Sequence, residues 1–137
     1  MDGVIGLRLL GGTRLAWCQS GSCEDPSSGP TRLAFEPERV VVLNGRSDWS
    51  LEWAEPSAGD DWERPYRYEV DDATWTSRDA STEDPFDQAI GQPLVSWKPE
   101  LDEVGDLVGL SLTFPDTVVS LRMWNGEVRA VTRALPL

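Results

Sequence analysis

Carboxylates and indoles are interleaved in the middle of the chain, and this combination has the clearest chemical potential. Residues 46–90 hold 13 acidic residues and four arginines, and so carry nine of the twelve net negative charges. Four of the seven tryptophans lie there too. Aromatic anchors among charges of one sign are typical of a surface that binds an oppositely charged protein. We therefore predict that a basic partner binds at Asp60, Asp61, Trp62, Glu63, Asp71, Asp72 and Trp75.

Two simpler interpretations of this segment stay open. Trp62 and Trp75 could close the hydrophobic core, which is the commoner position of an indole. The acidic run could be a solvated face. Adjacent carboxylates at Asp60–Asp61, Asp71–Asp72 and Glu83–Asp84 could in principle form the acid and base of a glycosidase. A solvated face is the commoner role of such a run, so we do not predict an enzyme.

Other catalytic and metal-binding chemistry is poorly supported. The chain has no histidine, which removes Ser-His-Asp and Cys-His systems and the commonest metal ligand. It has no Gly-rich phosphate-binding motif and no D-x-D-x-D-G calcium loop. We predict neither a cofactor nor a metal site.

The two cysteines, Cys18 and Cys23, are spaced C-x4-C without a second pair. A zinc site is therefore not expected. A small loop disulfide is one alternative. We predict free, structural cysteines instead, because the first twelve residues carry an early acid and only a short apolar stretch, unlike a secretory signal. A cytoplasmic location follows as an expectation.

The overall charge also limits the choice of partner. A net charge of -12 and a pI near 4.2 argue against binding to nucleic acid or to anionic membranes, since both need a basic surface. No apolar run approaches the roughly 20 residues that span a bilayer. The charge favours solubility and a basic partner, although general acidity without a specific role is an alternative. The oligomeric state is left open.

The elements that must position these side chains are mainly β. In residues 107–131, apolar and polar side chains alternate through 108–114 and 119–124, and a third run follows Asn125-Gly126, a strong hairpin signal. This pattern predicts a three-stranded meander. Further strands are expected at 4–9 and 13–17, separated by a turn at Gly11-Gly12, and at 32–35, 40–43, 49–53 and 66–70. A short helix is expected at 81–90, with Pro85 in its first turn.

Two parts of the chain share a pattern. Leu33-Ala34-Phe35, a proline and the run 40–45 match Leu112-Thr113-Phe114, a proline and the run 118–126. We interpret this as an internal repeat; two unrelated hairpins with similar turns are the alternative. The prediction is a single mainly β domain over 1–137, with α+β as the alternative. It contains two similar antiparallel meanders, 1–55 and 89–137, which form one sheet or a sandwich, and an acidic insert over 56–88.

The run Val108 to Phe114, followed by 118–121 and Trp124-Asn125-Gly126, resembles the small, acidic, β-rich proteins of bacterial toxin–immunity loci. It covers about a fifth of the chain, in the pattern of a strand, a turn, a second strand and Asn-Gly. The resemblance implies a protein that neutralises a cognate toxin by covering its active site, and it assigns no residue role. We therefore expect a non-catalytic immunity or inhibitor protein for a basic partner. The alternatives are a nucleic-acid mimic and a structural subunit.

Overall fold

The computed structural model describes residues 1–25, 28–124 and 126–133, and the chain folds into two antiparallel sheets. The first sheet contains β1 (Leu9–Gln19), β2 (Ser22–Cys23), β3 (Thr31–Phe35), β4 (Arg39–Gly45), β5 (Leu51–Ala54), β6 (Glu69–Val70) and β7 (Ala73–Asp79). Its order is β5–β4–β3–β1–β7–β6, with β2 paired to β1. The second sheet has the order β11–β10–β9–β8 and contains β8 (Ser96–Leu101), β9 (Leu107–Thr113), β10 (Val118–Trp124) and β11 (Glu127–Arg133). The predicted mainly β fold is confirmed.

The second sheet is the predicted meander with one further strand, β8. Leu121 of β10 lies opposite Leu110 of β9 on one side and Ala130 of β11 on the other. All of these side chains are buried, as the alternation predicts, because cross-strand neighbours share a face. Asn125 of the predicted hairpin turn lies outside the described residues, and Gly126 beside it has a φ of 81°.

The two sheets share one apolar core. Leu33, Phe35 and Leu43 from the first sheet form a single buried cluster with residues of the second. Phe86, which follows β7, also belongs to this cluster. The segments of the suggested repeat each form a hairpin, β3–β4 and β9–β10. Whether the two hairpins derive from a duplication stays a prediction.

The turn predicted at Gly11-Gly12 is wrong, because β1 runs unbroken through both glycines. Its pairing with β3 shifts register between Leu9 and Gly11, which marks a β-bulge. A Cβ atom at Gly11 would lie 2.9 Å from the Ser81 hydroxyl, and the Gly12 N–H donates a hydrogen bond to that oxygen. The glycines therefore allow the segment around Ser81 to approach the β1 backbone closely, which is a common reason for glycine inside a strand.

Four smaller expectations are also corrected. The strand predicted at 4–9 is a 3-10 helix, Asp2–Val4, followed by a connection into β1. The strand expected at 66–70 is reduced to β6, Glu69–Val70, and a 3-10 helix, Arg64–Tyr66, lies before it. Trp49 lies in a turn at φ 68° instead of in β5. The helix expected at 81–90 is reduced to one 3-10 turn, Phe86–Gln88, because the Ser81 hydroxyl bonds to Asp79 instead of capping it.

The acidic middle segment is part of the first sheet. Strand β7, which the sequence analysis did not assign, pairs with β1 from Thr13–Asp79 to Gln19–Ala73.

Among the described residues, no helix is long and apolar enough to cross a membrane. The residues that the structure describes also contain no group of three or more His, Cys, Asp or Glu side chains that could hold a metal ion.

Candidate functional site

Five aromatic side chains form a continuous row across strands β1 and β7 and the segment before them. Trp17 and Trp75 are direct cross-strand partners, with ring centroids 5.4 Å apart in an edge-to-face arrangement. Tyr68 lies 5.7 Å from Trp17, and its hydroxyl accepts a hydrogen bond from Trp75 Nε1 at 3.0 Å. Tyr66 lies 5.9 Å from Trp75 and 6.3 Å from Trp62. We call Trp62, Tyr66, Trp75, Trp17 and Tyr68 the aromatic row.

Local backbone geometry explains how the acidic segment positions these rings. The 3-10 helix Arg64–Tyr66 begins at a proline-containing turn and ends at Tyr66. Asp71 and Asp72 then form the two-residue turn between β6 and β7, with φ values of 51° and 66°. Aspartate is one of the few residues besides glycine that tolerate this left-handed region. The turn reverses the chain, and so brings Trp75 back beside Tyr68.

Two of the predicted carboxylates, Asp60 and Asp61, lie in a groove that Tyr66 also lines. Asp60, Asp61 and Trp62 line an open groove of about 270 Å³ together with Tyr66 and β4 residues. Asp61 forms an ion pair with Arg67, whose hydrogen bond holds the pKa of that carboxyl below its ordinary value. Asp60 accepts a hydrogen bond from the Ser57 N–H at 3.1 Å.

The structure therefore brings the two predicted indoles into one cluster, with Tyr66 as the bridge. Asp60, Asp61 and Glu63 adjoin Trp62 in the chain, whereas Asp71 and Asp72 lie at the β6–β7 turn, where the Asp71 carbonyl accepts a hydrogen bond from Gln19 Nε2 at 2.5 Å. Sequence reasoning missed the other aromatic members of the row. The spacing of Tyr66 and Tyr68 predicted a strand. The prediction did not include β7, the strand that pairs with β1 and so brings the two tyrosines close to Trp17.

A cleft of about 200 Å³ adjoins the aromatic row where the two sheets meet. Its aromatic walls are Trp17, Trp75 and Trp124, and its polar lining is Glu24, Asp25, Ser28 and Glu127. We call these residues the Trp–acid cleft. Apart from Trp75, none was predicted as a site residue, because they come from three segments that are distant in sequence.

Backbone hydrogen bonds hold the three sides of the cleft together. The Glu24 N–H donates to the Trp17 carbonyl at 2.9 Å, which fixes one acidic wall against β1. The Gly29 N–H donates to the Val128 carbonyl at 2.8 Å, which ties the same loop to β11. The cleft is thus built on paired backbone at both sheets, and we expect its side chains to keep their relative positions.

Glu127 is the carboxylate that β11 contributes to the cleft. It is half-buried, and burial raises its pKa above the ordinary value, with a further contribution from the negative charge of Glu24. Trp124 opposite is 52% exposed. The guanidinium group of Arg129 lies 5.3 Å from the centre of the Trp124 ring, in a neighbouring groove that both residues line.

The cysteine prediction is corrected at the edge of this site. Cys18 and Cys23 face each other across the β1–β2 pair and form a disulfide with a Cα–Cα distance of 3.9 Å. The prediction rested on the C-x4-C spacing and on the composition of the first twelve residues, and neither reveals a cross-strand pairing. Disulfides persist mainly in oxidising compartments. The bond therefore weighs against the cytoplasmic location, which stays a prediction.

The inner side of β1 and β7 carries a second group of charges. Arg14 is 1% exposed, and its guanidinium lies 4.7 Å from the centre of the Phe86 ring. Burial lowers its pKa to about 10, with Arg78 contributing. Arg78 donates to both oxygens of Glu83, at 2.7–3.2 Å, and lowers the pKa of Glu83. The carboxyl groups of Asp61 and Glu83 thus both have lowered pKa values. A general acid that must stay protonated at neutral pH needs a raised pKa, which is the opposite shift.

No protein-family model matches the chain, and neither a curated protein nor a solved structure shows significant similarity to it.

Proposed function

We propose that this protein is a non-catalytic binding module that engages a basic protein through the aromatic row and its surrounding carboxylates. The observation that carries this proposal is the continuous row of five rings. Aromatic side chains of this kind supply most of the energy at protein interfaces, because they are large, rigid and apolar with one polar edge. Tyr68 is 51% exposed, so the row retains surface for a partner to cover.

The charge of the protein supports a basic partner. The net charge is -12, and Asp60, Asp61, Asp71 and Asp72 lie exposed on the segments that carry the row. Complementary charge steers the encounter and increases the association rate, while the aromatic anchors mainly lower the dissociation rate. An acidic rim around aromatic anchors gives both properties to one surface.

The form of binding that we propose is inhibition, as in an immunity protein that covers the active site of a basic toxin. The proposal agrees with the weak sequence resemblance to toxin–immunity proteins. The aromatic row favours a protein partner over nucleic-acid mimicry, since a mimic needs carboxylates spaced like phosphates and has no use for clustered indoles.

Matched charge variants test the proposal. The triple variant Glu63→Gln, Asp71→Asn, Asp72→Asn removes three negative charges beside the row and retains side-chain size. The control variant Glu38→Gln, Asp87→Asn, Asp116→Asn removes three exposed charges elsewhere. Each protein is immobilised and exposed to a lysate of the source organism at low and moderate salt, and the bound proteins are identified by mass spectrometry.

The proposal predicts one stoichiometric basic protein that binds the parent protein and the control variant, and that is lost from the site variant. Substitution of Trp75 by Phe in the parent protein should also weaken capture. The effect should be clearest at moderate salt, where screening of the charges leaves the aromatic contacts dominant. Equal capture by site and control variants would mean that net charge alone drives binding. A broad set of DNA-binding proteins would favour mimicry, and recovery of the bait alone would favour self-assembly.

One observation favours a second candidate function, carboxylate-dependent hydrolysis in the Trp–acid cleft. Glu127 has a raised pKa and lies beside Glu24, and a raised pKa is what a carboxyl needs to act as a general acid next to a second carboxylate. Aromatic walls also suit a sugar ring. Hydrolysis of a glycoside that follows a bell-shaped pH profile, and that Glu127→Gln abolishes, would support this alternative.

A further inference from the structure

The Trp–acid cleft combines two features that favour the same class of ligand. Trp17, Trp75 and Trp124 present indole rings, and the negative face of an indole attracts a cation within about 6 Å of its centre. Glu24, Asp25 and Glu127 add carboxylate oxygens on the polar side. The carboxylates would repel an anionic ligand. A cation would be attracted both by the indole rings and by the carboxylates of Glu24 and Glu127.

The mixture of rings and carboxylates also distinguishes between types of cation. A quaternary ammonium group is bound by rings alone, and it has no N–H to donate to carboxylates that must give up part of their hydration. A guanidinium group is planar, stacks on aromatic faces and donates paired hydrogen bonds to carboxylates. A lysine ammonium group donates as well, but it is more strongly hydrated and lacks a flat face. The lining therefore suits guanidinium best.

The protein already contains one example of this contact. Arg129 holds its guanidinium over the ring of Trp124, at 5.3 Å from the centroid. It does so in the groove next to the cleft, which Arg122 and Met123 also line. Trp124 thus accepts an internal guanidinium in one groove while it forms a wall of the other. The volume of the cleft, about 200 Å³, suits one side chain and is too small for a helix or a strand.

We propose that the Trp–acid cleft is a receptor for the guanidinium group of an arginine side chain on the basic partner. The inference rests on the proposed function and specifies which residue of the partner is recognised. The guanidinium group stacks on the rings of Trp17 and Trp75 and donates hydrogen bonds to Glu24 and Glu127. The cleft supplies a fixed, specific contact at one end of the aromatic row, which serves as the broader apolar platform.

Binding should depend on pH through Glu127. Its pKa is raised by burial and by Glu24, so it loses its charge at a higher pH than an ordinary glutamate as acid is added. Asp25 on the adjoining loop, Tyr66 of the aromatic row and Arg129 on the same strand are the other ionisable groups around it. Affinity should therefore fall as the pH drops through the raised pKa of Glu127.

The test uses three small probes of the same length: the N-acetyl methylamides of arginine, lysine and citrulline. Citrulline has the shape of arginine without its charge. Binding is followed by NMR of the indole N–H groups, with signals assigned through Trp17→Phe and Trp124→Phe variants. The arginine probe should bind with a dissociation constant on the order of 1 mM, as its size allows. The lysine probe should bind about threefold or more weakly, and the citrulline probe should give no saturable shift.

A single pair of variants separates specific binding from attraction to a highly acidic protein. Glu127→Gln should weaken the arginine probe about fivefold or more, and should remove the pH dependence near the raised pKa. Glu38→Gln, in the exposed β3–β4 turn, makes the same charge change and should leave binding within about twofold. Equal binding of arginine and citrulline, or equal effects of the two variants, would overturn the inference.

The result also separates this inference from the proposed function. If the arginine probe does not bind while a basic protein is captured through the aromatic row, the cleft is not the arginine receptor and the binding module stands. If the probe binds and Glu127→Gln weakens it, but no basic protein is captured, the receptor stands and the proposed function is wrong.

Discussion

The two sheets of this protein are built by different rules. The second sheet is a regular meander in which alternate side chains, such as Leu110, Leu112 and Leu121, are buried. The first sheet places a buried arginine, Arg14, on one side of β1 and aromatic rings on the other, and closes a disulfide at its end. The regular sheet mainly contributes apolar area. The irregular sheet carries the aromatic row, and the regular sheet adds Trp124 and Glu127 to the proposed binding surface.

This difference shows where sequence rules are set aside for another purpose. A strand with glycines inside it and a buried arginine is locally unfavourable, as is a two-residue turn of adjacent aspartates in the left-handed region. Natural proteins concentrate such departures at functional or strained sites. In this molecule they coincide with the strands that carry the aromatic row.

The largest expected effect comes from the regular sheet. Leu121→Ala should lower the free energy of unfolding by about 3 kcal/mol, because it removes a fully buried side chain from the core shared by both sheets. Chemical denaturation measures this, with the exposed Leu101→Ala as the control. A loss below about 1 kcal/mol would show that the second sheet contributes less to stability than its packing indicates.

The disulfide should have the next largest effect, and a local one. Replacing both Cys18 and Cys23 with serine should cost roughly 2 kcal/mol, the loop-entropy value for a ring this short. Hydrogen exchange should increase at Glu24, whose N–H bonds to Trp17, and should change little in β9 and β10. Uniform acceleration across both sheets, at a small loss of stability, would contradict a local role at the cleft.

The ion pair on the inner side of the first sheet should contribute less, because it is partly exposed. Glu83→Gln should cost about 1 kcal/mol at neutral pH. The Glu83 pKa is lowered in the folded state, so its stabilisation is present above the unfolded value and is lost as the pH falls through the folded pKa. The difference between parent and variant should therefore vanish in acid. Asp87→Asn, at an exposed position nearby, removes the same charge and serves as the control.

The smallest expected change in stability is at Glu127. Its folded-state pKa is raised, so the folded protein binds the proton more tightly, and stability declines as the pH rises from the unfolded value through the folded one. Glu127→Gln should consequently raise stability at neutral pH by about 0.5 kcal/mol or less, while it weakens binding. Loss of both stability and binding would indicate a structural role for this carboxylate.

The sequence predicted strands in both sheets, since the expected runs 13–17, 32–35 and 40–43 lie in β1, β3 and β4 of the first sheet. It missed β7 of the first sheet and β8 of the second, for physical reasons. The alternation in 108–114 and 118–124 reports burial on one face, which is a local property of each strand. Strand β7 is mostly polar and half exposed, and its assignment depends on pairing with β1, which no local pattern encodes. Trp62 and Trp75 were identified from their acidic neighbours, but Trp17 and Glu127 join them only through the fold.

The most direct test of the central claim is a hydrogen-exchange footprint of the protein bound to its captured basic partner. The account predicts protection of amides in residues 62–75 and 17–25, and little change in β8 and β9 beyond the edge of the interface. Protection confined to the second sheet, with the aromatic row unaffected, would contradict the assignment of binding to the irregular sheet.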